Sequence, residues 1–305
     1  MFNQRYLFGK SFFNAVLGLG AFIIFNTQTS AAASGWSCDE SKVIEHTFPR
    51  ADIELVTINA LAGELEVIGE DSDSVVVYAK VCVDREEYLD EMTIDIIQSS
   101  EQLNLTAIIP YNKNGWRADY AYMDITLTLP RDLAIELRDS SGDIRVSGAA
   151  LRQVDDSSGD IHIEDTNGPL NILDSSGEID VRGLDGDIEI TDSSGHIELR
   201  NISGNVNIPR DSSGDIELEI IEGRIDILRD SSGEIDIDTA SQSVSIGSDG
   251  SGGIRISNIE GSVFIGSDGS GNVNISHVGG NFSLESKGNG NIRTRDISGE
   301  ISIPR

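Results

Sequence analysis

The chain has 305 residues, of which 52 are Asp or Glu and 22 are Lys or Arg, and its formal net charge is −30. The 38% hydrophobic fraction, together with 32 glycines, suffices for a packed core and argues against wholesale disorder. The negative charge argues against nucleic acid as a partner, because each phosphate contact needs a Lys or Arg. Two cysteines and four histidines dispersed along the sequence argue against a four-ligand zinc site.

The first 33 residues have the order of a secretory signal. Arg5 and Lys10 precede an apolar run over residues 12–25, and alanines occupy positions 31–33. We expect cleavage after Ala33 and export to the periplasm or the cell surface. An uncleaved anchor is the alternative, although a run of this length is shorter than the roughly 18–20 residues of a spanning helix. No later segment is apolar enough to cross a membrane.

Export would place Cys38 and Cys82 in an oxidising compartment, where they are expected to pair with each other. The disulfide would tie the mature N-terminus to a strand of the first domain. Chain-entropy arguments give it a contribution of about 3–4 kcal/mol to stability. Its predicted role is structural.

Residues 34–130 are expected to form an irregular N-terminal β domain that caps the remainder of the chain. Alternating apolar residues without a fixed period predict several strands, and residues 84–91 are the one place for a short helix. The candidate strands cover residues 53–58, 65–68, 75–83, 93–97, 103–109 and 123–129.

Four aromatic residues gather around an Asn-Lys-Asn-Gly segment. Its Asn-Gly pair is typical of a hairpin turn with packing aromatics. A partner-binding loop is the alternative. The four residues are Tyr111, Trp116, Tyr120 and Tyr122.

From residue 139 onward an Asp-Ser-Ser-Gly phrase recurs, drifting to Asp-Gly-Ser-Gly. Its glycines lie 17, 18, 18 and then repeatedly 19 residues apart, and a second glycine falls halfway in most units. A fixed period of this length is the mark of a solenoid. Apolar residues follow each glycine at the second and fourth positions, as at Ile161 and Ile163, which predicts strands with one inward face.

We therefore predict an all-β protein in which residues 131–305 form a parallel β-helix of about nine coils of 17–19 residues. An antiparallel meander is the alternative. In a meander, however, nothing would require the Asp-Ser-Ser-Gly phrase to recur at every second turn and not at the turns between.

Residues 127–146 join a strand ending in Pro130 to the first Asp-Ser-Ser-Gly-Asp-Ile unit. The chain is similar here to a bacterial family of adhesin-like β-strand-repeat proteins of unknown function, which share a strand ending in proline followed by Ser-Gly-Asp-Ile units. The resemblance implies a β-solenoid exported to the envelope. It carries over no catalytic or binding residues.

Stacked coils would superimpose the first residue of each phrase at about 4.8 Å spacing, where neighbouring carboxylates repel by roughly 3 kcal/mol at an effective dielectric of 20. Each carboxylate could accept backbone N–H groups in an Asx turn, with the column open to solvent. Alternatively the column could bind Ca²⁺ between coils, or a basic partner. We call this set the aspartate column: Asp139, Asp156, Asp174, Asp192, Asp211, Asp230, Asp249 and Asp268.

A strip of outward acidic residues runs beside the column and is predicted to be a solvated face that discourages aggregation. The strip contains Asp143, Asp160, Glu178, Asp180, Glu198, Asp215, Glu217, Glu234 and Asp236.

The constant coil length leaves no inserted loops to wall a catalytic cleft. We therefore expect a non-enzymatic, adhesin-like scaffold or interaction module of the cell envelope, with an envelope or cell-surface partner. The alternatives are a Ca²⁺-dependent binding rod and a polysaccharide-active enzyme. No cofactor other than Ca²⁺ is indicated. The strand edge at residues 301–305 could support self-association.

Overall fold

The computed structural model describes residues 38–50, 53–111 and 117–304. The signal sequence with its cleavage position, and Trp116 of the aromatic group, lie outside the described residues. No helix within the described ranges is long and apolar enough to cross a bilayer.

The N-terminal part consists of seven described strands and one 3-10 helix, Glu86–Glu91, at the place where the sequence allows a short helix. The strands are β1 (Glu40–Pro49), β2 (Leu55–Asn59), β3 (Leu65–Glu70), β4 (Ser74–Val83), β5 (Thr93–Gln98), β6 (Gln102–Ile108) and β7 (Ala121–Pro130).

Nineteen described strands follow, at nearly regular intervals. They are β8 (Ala134–Arg138), β9 (Ile144–Ser147), β10 (Ala150–Asp155), β11 (Ile161–Asn167), β12 (Leu170–Leu173), β13 (Ile179–Asp185), β14 (Ile188–Thr191), β15 (Ile197–Ile202), β16 (Val206–Arg210), β17 (Ile216–Ile221), β18 (Ile225–Asp230), β19 (Ile235–Ala240), β20 (Val244–Asp249), β21 (Ile254–Ile259), β22 (Val263–Asp268), β23 (Val273–Val278), β24 (Phe282–Ser286), β25 (Ile292–Ile297) and β26 (Ile301–Ser302).

The strands form two sheets that face each other across the core. The first sheet has the order β1-β4-β7-β3, then β9 and every second strand to β25, and the second runs from β26 through every second strand to β8, then β2-β6-β5. Every pairing from β8 and β9 onward is parallel. Antiparallel pairing in the described chain joins β1 to β4, β4 to β7 and β5 to β6. The predicted parallel β-helix is thus confirmed, and the antiparallel meander is wrong for the coils.

The two sheets run across residue 130 without interruption. The short N-terminal strand β3 pairs in parallel with both β7 and β9, and β2 pairs in parallel with both β6 and β8. The boundary at residue 130 between a cap and a solenoid stays a prediction.

Like side chains lie on like side chains inside the coils. Ile197, Ile216, Ile235 and Ile254 are register partners in successive strands of the first sheet, and all are buried. β-Branched side chains suit this arrangement, because they pack well against neighbours on a pleated surface.

The corner glycines permit a backbone contact that no other residue allows. Gly214 has φ +140°, and a Cβ on it would overlap the carbonyl oxygen of Gly195 one coil earlier. The Gly195 N–H in turn donates to Ser213 O at 2.9 Å. Because the corner is repeated in every coil, the glycine recurs with the period of the coil.

A second recurring corner uses the left-handed conformation. Its residues include Asn201, Ile220, Thr239 and Asn258, with φ between 58° and 66°. Asn tolerates this conformation, whereas a β-branched side chain is strained there. Ile220 is therefore a strained position, and its side chain is 45% exposed, so little burial offsets the strain.

Replacing Gly214 with Ala should lower the midpoint of thermal unfolding, because the new methyl group meets a fixed backbone carbonyl at a positive φ. Gly253→Ala is the matched control: its Cβ would have Asn272 O as nearest neighbour at 3.8 Å. We expect Gly253→Ala to change stability by no more than about 0.5 kcal/mol. Equal midpoints for the two variants, measured by circular dichroism, would contradict the corner contact.

Replacing Ile220 with Asn should raise the free energy of unfolding by about 1 kcal/mol, because Asn adopts the left-handed conformation at lower cost. The reciprocal variant Asn201→Ile introduces the same strain at the equivalent corner and should lower stability by a similar amount. Denaturant titration of both variants measures the two changes. Changes of the same sign would show that the corner conformation does not decide stability here.

Candidate functional site

The aspartate column lies inside the solenoid. Each of its eight residues ends or directly follows a strand of the second sheet, and each is at most 5% exposed. Asp230, Asp249 and Asp268 are register partners in β18, β20 and β22. Backbone hydrogen bonds continue the column through the earlier coils. The Asp192 N–H donates to the carbonyl oxygen of Arg210, the residue before Asp211, and the Asp211 N–H donates to that of Arg229, the residue before Asp230.

The expectation that the column is open to solvent is wrong. In β18 two successive residues, Leu228 and Arg229, face outward, and this break in the alternation turns Asp230 inward. Sequence reasoning missed the burial because strict alternation does not predict which corner residue points inward.

The rest of the phrase is explained by contacts between coils. The Ser194 hydroxyl donates to Ser175 O at 3.1 Å, and the Ser176 hydroxyl donates to Ser157 O at 3.2 Å. The residue after the glycine also accepts across coils, as Asp215 Oδ1 does from the Glu234 N–H at 2.8 Å. These residues hold the corner together.

Hydrogen bonding alternates along the aspartate column. In Asp156, Asp192 and Asp230 one oxygen accepts a serine N–H, as Asp192 Oδ1 does from Ser193 at 2.6 Å, and the other oxygen is buried without a partner. In the intervening four aspartates both oxygens are buried without a partner in the described structure. These four are Asp139, Asp174, Asp211 and Asp249.

The four aspartates without hydrogen-bond partners resist ionisation. Burial raises the pKa of Asp211 to about 7, and repulsion from Asp230 and Asp192 adds to the rise. The N–H groups of the next two serines oppose the rise, although neither meets the geometry of a hydrogen bond to Asp211. Burial likewise raises the pKa of Asp139 and Asp249 to about 7 and that of Asp174 to about 6.

Burial also raises the pKa of the remaining members of the column. Serine N–H groups oppose the rise at Asp156, Asp192 and Asp230. The Asp249 carboxyl opposes the rise at Asp268, and the carboxyls of Asp249 and Asp211 also oppose it at Asp230. The column is therefore poorly able to carry one full negative charge on every carboxyl.

The described residues contain no group of three or more His, Cys, Asp or Glu placed to hold a metal ion. Ca²⁺ usually takes six to eight oxygen ligands, whereas a file of stacked aspartates offers two carboxyls to each gap. Calcium binding by the aspartate column stays a prediction.

The outward acidic strip is interleaved with arginines that sequence reasoning left unpaired. Arg200 lies 2.8 Å from Glu198, 3.3 Å from Glu217 and 3.2 Å from Glu219. Arg255 lies 2.8 Å from Glu234. The pair with Glu198 lies within one strand, whereas the pairs with Glu217, Glu219 and Glu234 cross from coil to coil, so only the register reveals them. The first sheet consequently presents an ordered array of both charges.

The aromatic group is divided in the structure. Tyr111 is 49% exposed and its hydroxyl donates to Ala121 O at 2.5 Å. The Tyr120 hydroxyl accepts the Asp39 N–H at 2.9 Å, and the rings of Tyr120 and Tyr122 lie 6.3 Å apart. Tyr120 thus anchors the start of β1. A partner-binding role for the group stays a prediction.

The predicted disulfide is present, joining Cys38 to Cys82 across a sequence separation of 44 residues. It fixes the beginning of β1 to the buried end of β4, next to the Tyr120 anchor. Two independent contacts therefore hold the first described residues against the first sheet.

Solved structures with a similar trace come from several bacteria. A candidate adhesin from Parabacteroides distasonis ATCC 8503 has 12% identity and a TM-score of 0.31, covering 87% of this chain and 98% of that chain. A candidate adhesin from Bacteroides fragilis NCTC 9343 has 15% identity and a TM-score of 0.36, covering 87% and 99%. A candidate lipid-binding protein from Parabacteroides distasonis ATCC 8503 has 17% identity and a TM-score of 0.26, covering 86% and 97%.

No curated protein matches the chain in sequence. The family model described as Toastrack DUF4097, by contrast, matches residues 40–303, which include the N-terminal strands as well as every coil. This match confirms the resemblance to adhesin-like β-repeat proteins, and the chain belongs to the Toastrack DUF4097 family.

Proposed function

We propose that this chain is an exported, non-enzymatic, adhesin-like interaction module of the bacterial cell envelope. The observation that carries the proposal is the uninterrupted stacking of the coils. Between β17 and β18 lie residues 222–224, and between β18 and β19 lie residues 231–234. Turns this short build no walls around a substrate, while the sheet faces remain available along the rod.

The two faces offer different chemistry to a partner. The first sheet carries the alternating acidic and arginine side chains of successive coils, such as Glu217 and Arg200. On the second sheet, β20 and β22 direct Ser245 and Phe264 outward and carry no outward charge, whereas β18 exposes Arg229. A partner that carries charge therefore fits the first sheet better than the part of the second sheet formed by β20 and β22.

Self-association through the end of the solenoid belongs to the same proposal. No described strand pairs with the outer edges of β25 and β26. Inward residues are less covered there than in earlier coils, since Ile292 and Ile297 are half-buried and Ile301 is 45% exposed. A second copy could cover both the strand edge and this apolar end.

The disulfide should contribute about 4 kcal/mol to the free energy of unfolding, because it closes a 44-residue separation in the unfolded chain. Denaturant titration with and without a thiol reductant measures the contribution. The variant Cys38→Ser with Cys82→Ala is the control, since the reductant should not change its midpoint. A reductant-insensitive native protein would contradict the structural role and weaken the argument for an oxidising compartment.

Binding tests the proposed function directly. The chain lacking residues 1–33, immobilised and exposed to an array of neutral and acidic glycans and to a bacterial envelope fraction, should show saturable binding without release of product. Glu217→Gln with Asp236→Asn alters the first sheet, and Asn207→Ala with Ser245→Ala alters the second.

A specific partner should lose affinity in one of these two variants, by about tenfold or more for a central contact. Equal losses in both would indicate general adsorption and contradict a binding face. Product formation from any glycan would replace the adhesin proposal with an enzymatic one.

A further inference from the structure

The interior of the solenoid holds more acidic groups than its surroundings can neutralise as anions. All eight members of the aspartate column are at least 95% buried, and the described structure places no Lys or Arg in hydrogen-bonding contact with any of their carboxyls. Buried carboxylates are normally paired with cations, hydrogen-bonded, or protonated. The column therefore needs a positively charged ligand, which must be either a metal ion or the proton.

The alternation of hydrogen bonds distinguishes these two ligands. A chain of shared protons needs a carboxylic acid that donates, next to a carboxylate stabilised by other donors. Asp192 and Asp230 each accept at least one serine N–H and keep a second buried oxygen free. Between them lies Asp211, whose two oxygens have no partner in the described structure. Asp211 is thus placed to donate, and its neighbours to accept.

The same pattern extends along the column, since Asp139, Asp174 and Asp249 resemble Asp211 while Asp156 resembles its two neighbours. A metal ion gives no reason for donors and acceptors to alternate, because it would attract every carboxyl equally. The absence of a convergent group of three metal-ligating side chains among the described residues points the same way.

We propose that the aspartate column binds protons as one unit, in which Asp139, Asp174, Asp211 and Asp249 are protonated at mildly acidic pH and donate to the neighbouring carboxylates. The raised pKa of each of these four residues supports this arrangement, with burial as the first cause. Beyond the column itself, the charged groups that act on it are Asp143 and Asp155, which raise the pKa of Asp156.

The proposal makes the solenoid pH-sensitive in a defined direction. A carboxyl with a raised pKa in the folded state keeps its proton there but loses it on unfolding at pH values above about 4. Stability from the shared protons is therefore complete at pH values below about 4. It is lost as the pH rises through about 6 to 7. Between about pH 4 and pH 7, the unfolding constant therefore rises with pH by up to about tenfold per pH unit for each shared proton.

Thermal and denaturant unfolding of the chain lacking residues 1–33, at pH values from 5 to 8.5, tests the proposal. The midpoint should fall as the pH rises. Asp211→Asn, which resembles the protonated acid, should be more stable than the native chain at pH 8. The unfolding constant of Asp211→Asn should also rise less with pH than that of the native chain, by a factor of about ten for each pH unit, because the variant has one proton fewer to lose.

Two controls distinguish proton sharing from a general effect of charge. Glu222→Gln removes an exposed carboxylate from a neighbouring turn and should leave the pH dependence unchanged. Asp230→Asn removes an acceptor instead of a donor and should not reproduce the gain of Asp211→Asn, although both sites are at least 98% buried. Equal effects of Asp211→Asn and Asp230→Asn would overturn the alternation.

Metal dependence is the remaining outcome. Unfolding in a chelator and in millimolar CaCl₂ should give the same midpoint at each pH. A midpoint that rises with CaCl₂ and falls with chelator, or one that does not decrease between pH 5 and 8, would show that protons do not neutralise the column. Binding to envelope fractions is measured separately, so failure here leaves the proposed function standing.

Discussion

Parallel backbone pairing of each coil with the next constrains every other feature of this protein. Because the pairing superimposes equivalent positions, a residue suits the solenoid only if it can lie directly above its own kind. Isoleucine satisfies this condition in the core, as in the series from Ile197 to Ile254. Glycine satisfies it at the corner, where Gly214 rests on the carbonyl of Gly195. Aspartate satisfies it only if its negative charge is neutralised, since like charges repel at this spacing.

Sequence periodicity predicts the parts of the fold that depend on this superposition. The recurring glycines and the alternating isoleucines identify the solenoid, the direction of pairing and the inward residues of the coils. Periodicity does not predict the order of the N-terminal strands in the two sheets. Nothing periodic indicates that β3 lies between β7 and β9 or that β1 lies on the outer edge of β4, because these are long-range choices decided by packing.

The candidate site was predictable only in part. The repeated phrase identifies all eight aspartates and places them in one column. It does not reveal their burial, which arises from paired outward residues such as Leu228 and Arg229. Nor does it reveal that serine N–H groups donate to one oxygen of Asp192 and to neither oxygen of Asp211, since both aspartates stand in the same local sequence. Local motifs thus specify composition, whereas small differences in backbone geometry decide how the carboxyls are hydrogen-bonded.

The near-identical middle coils have a consequence for the length of the molecule. From β15 to β24 each coil offers its neighbours the same backbone edge, the same apolar floor and the same corner, so removal or duplication of one 19-residue unit would create no new kind of junction. Each such change would move the two ends by about 4.8 Å. Gene duplication or protein engineering could therefore set the length of the solenoid in steps of one coil.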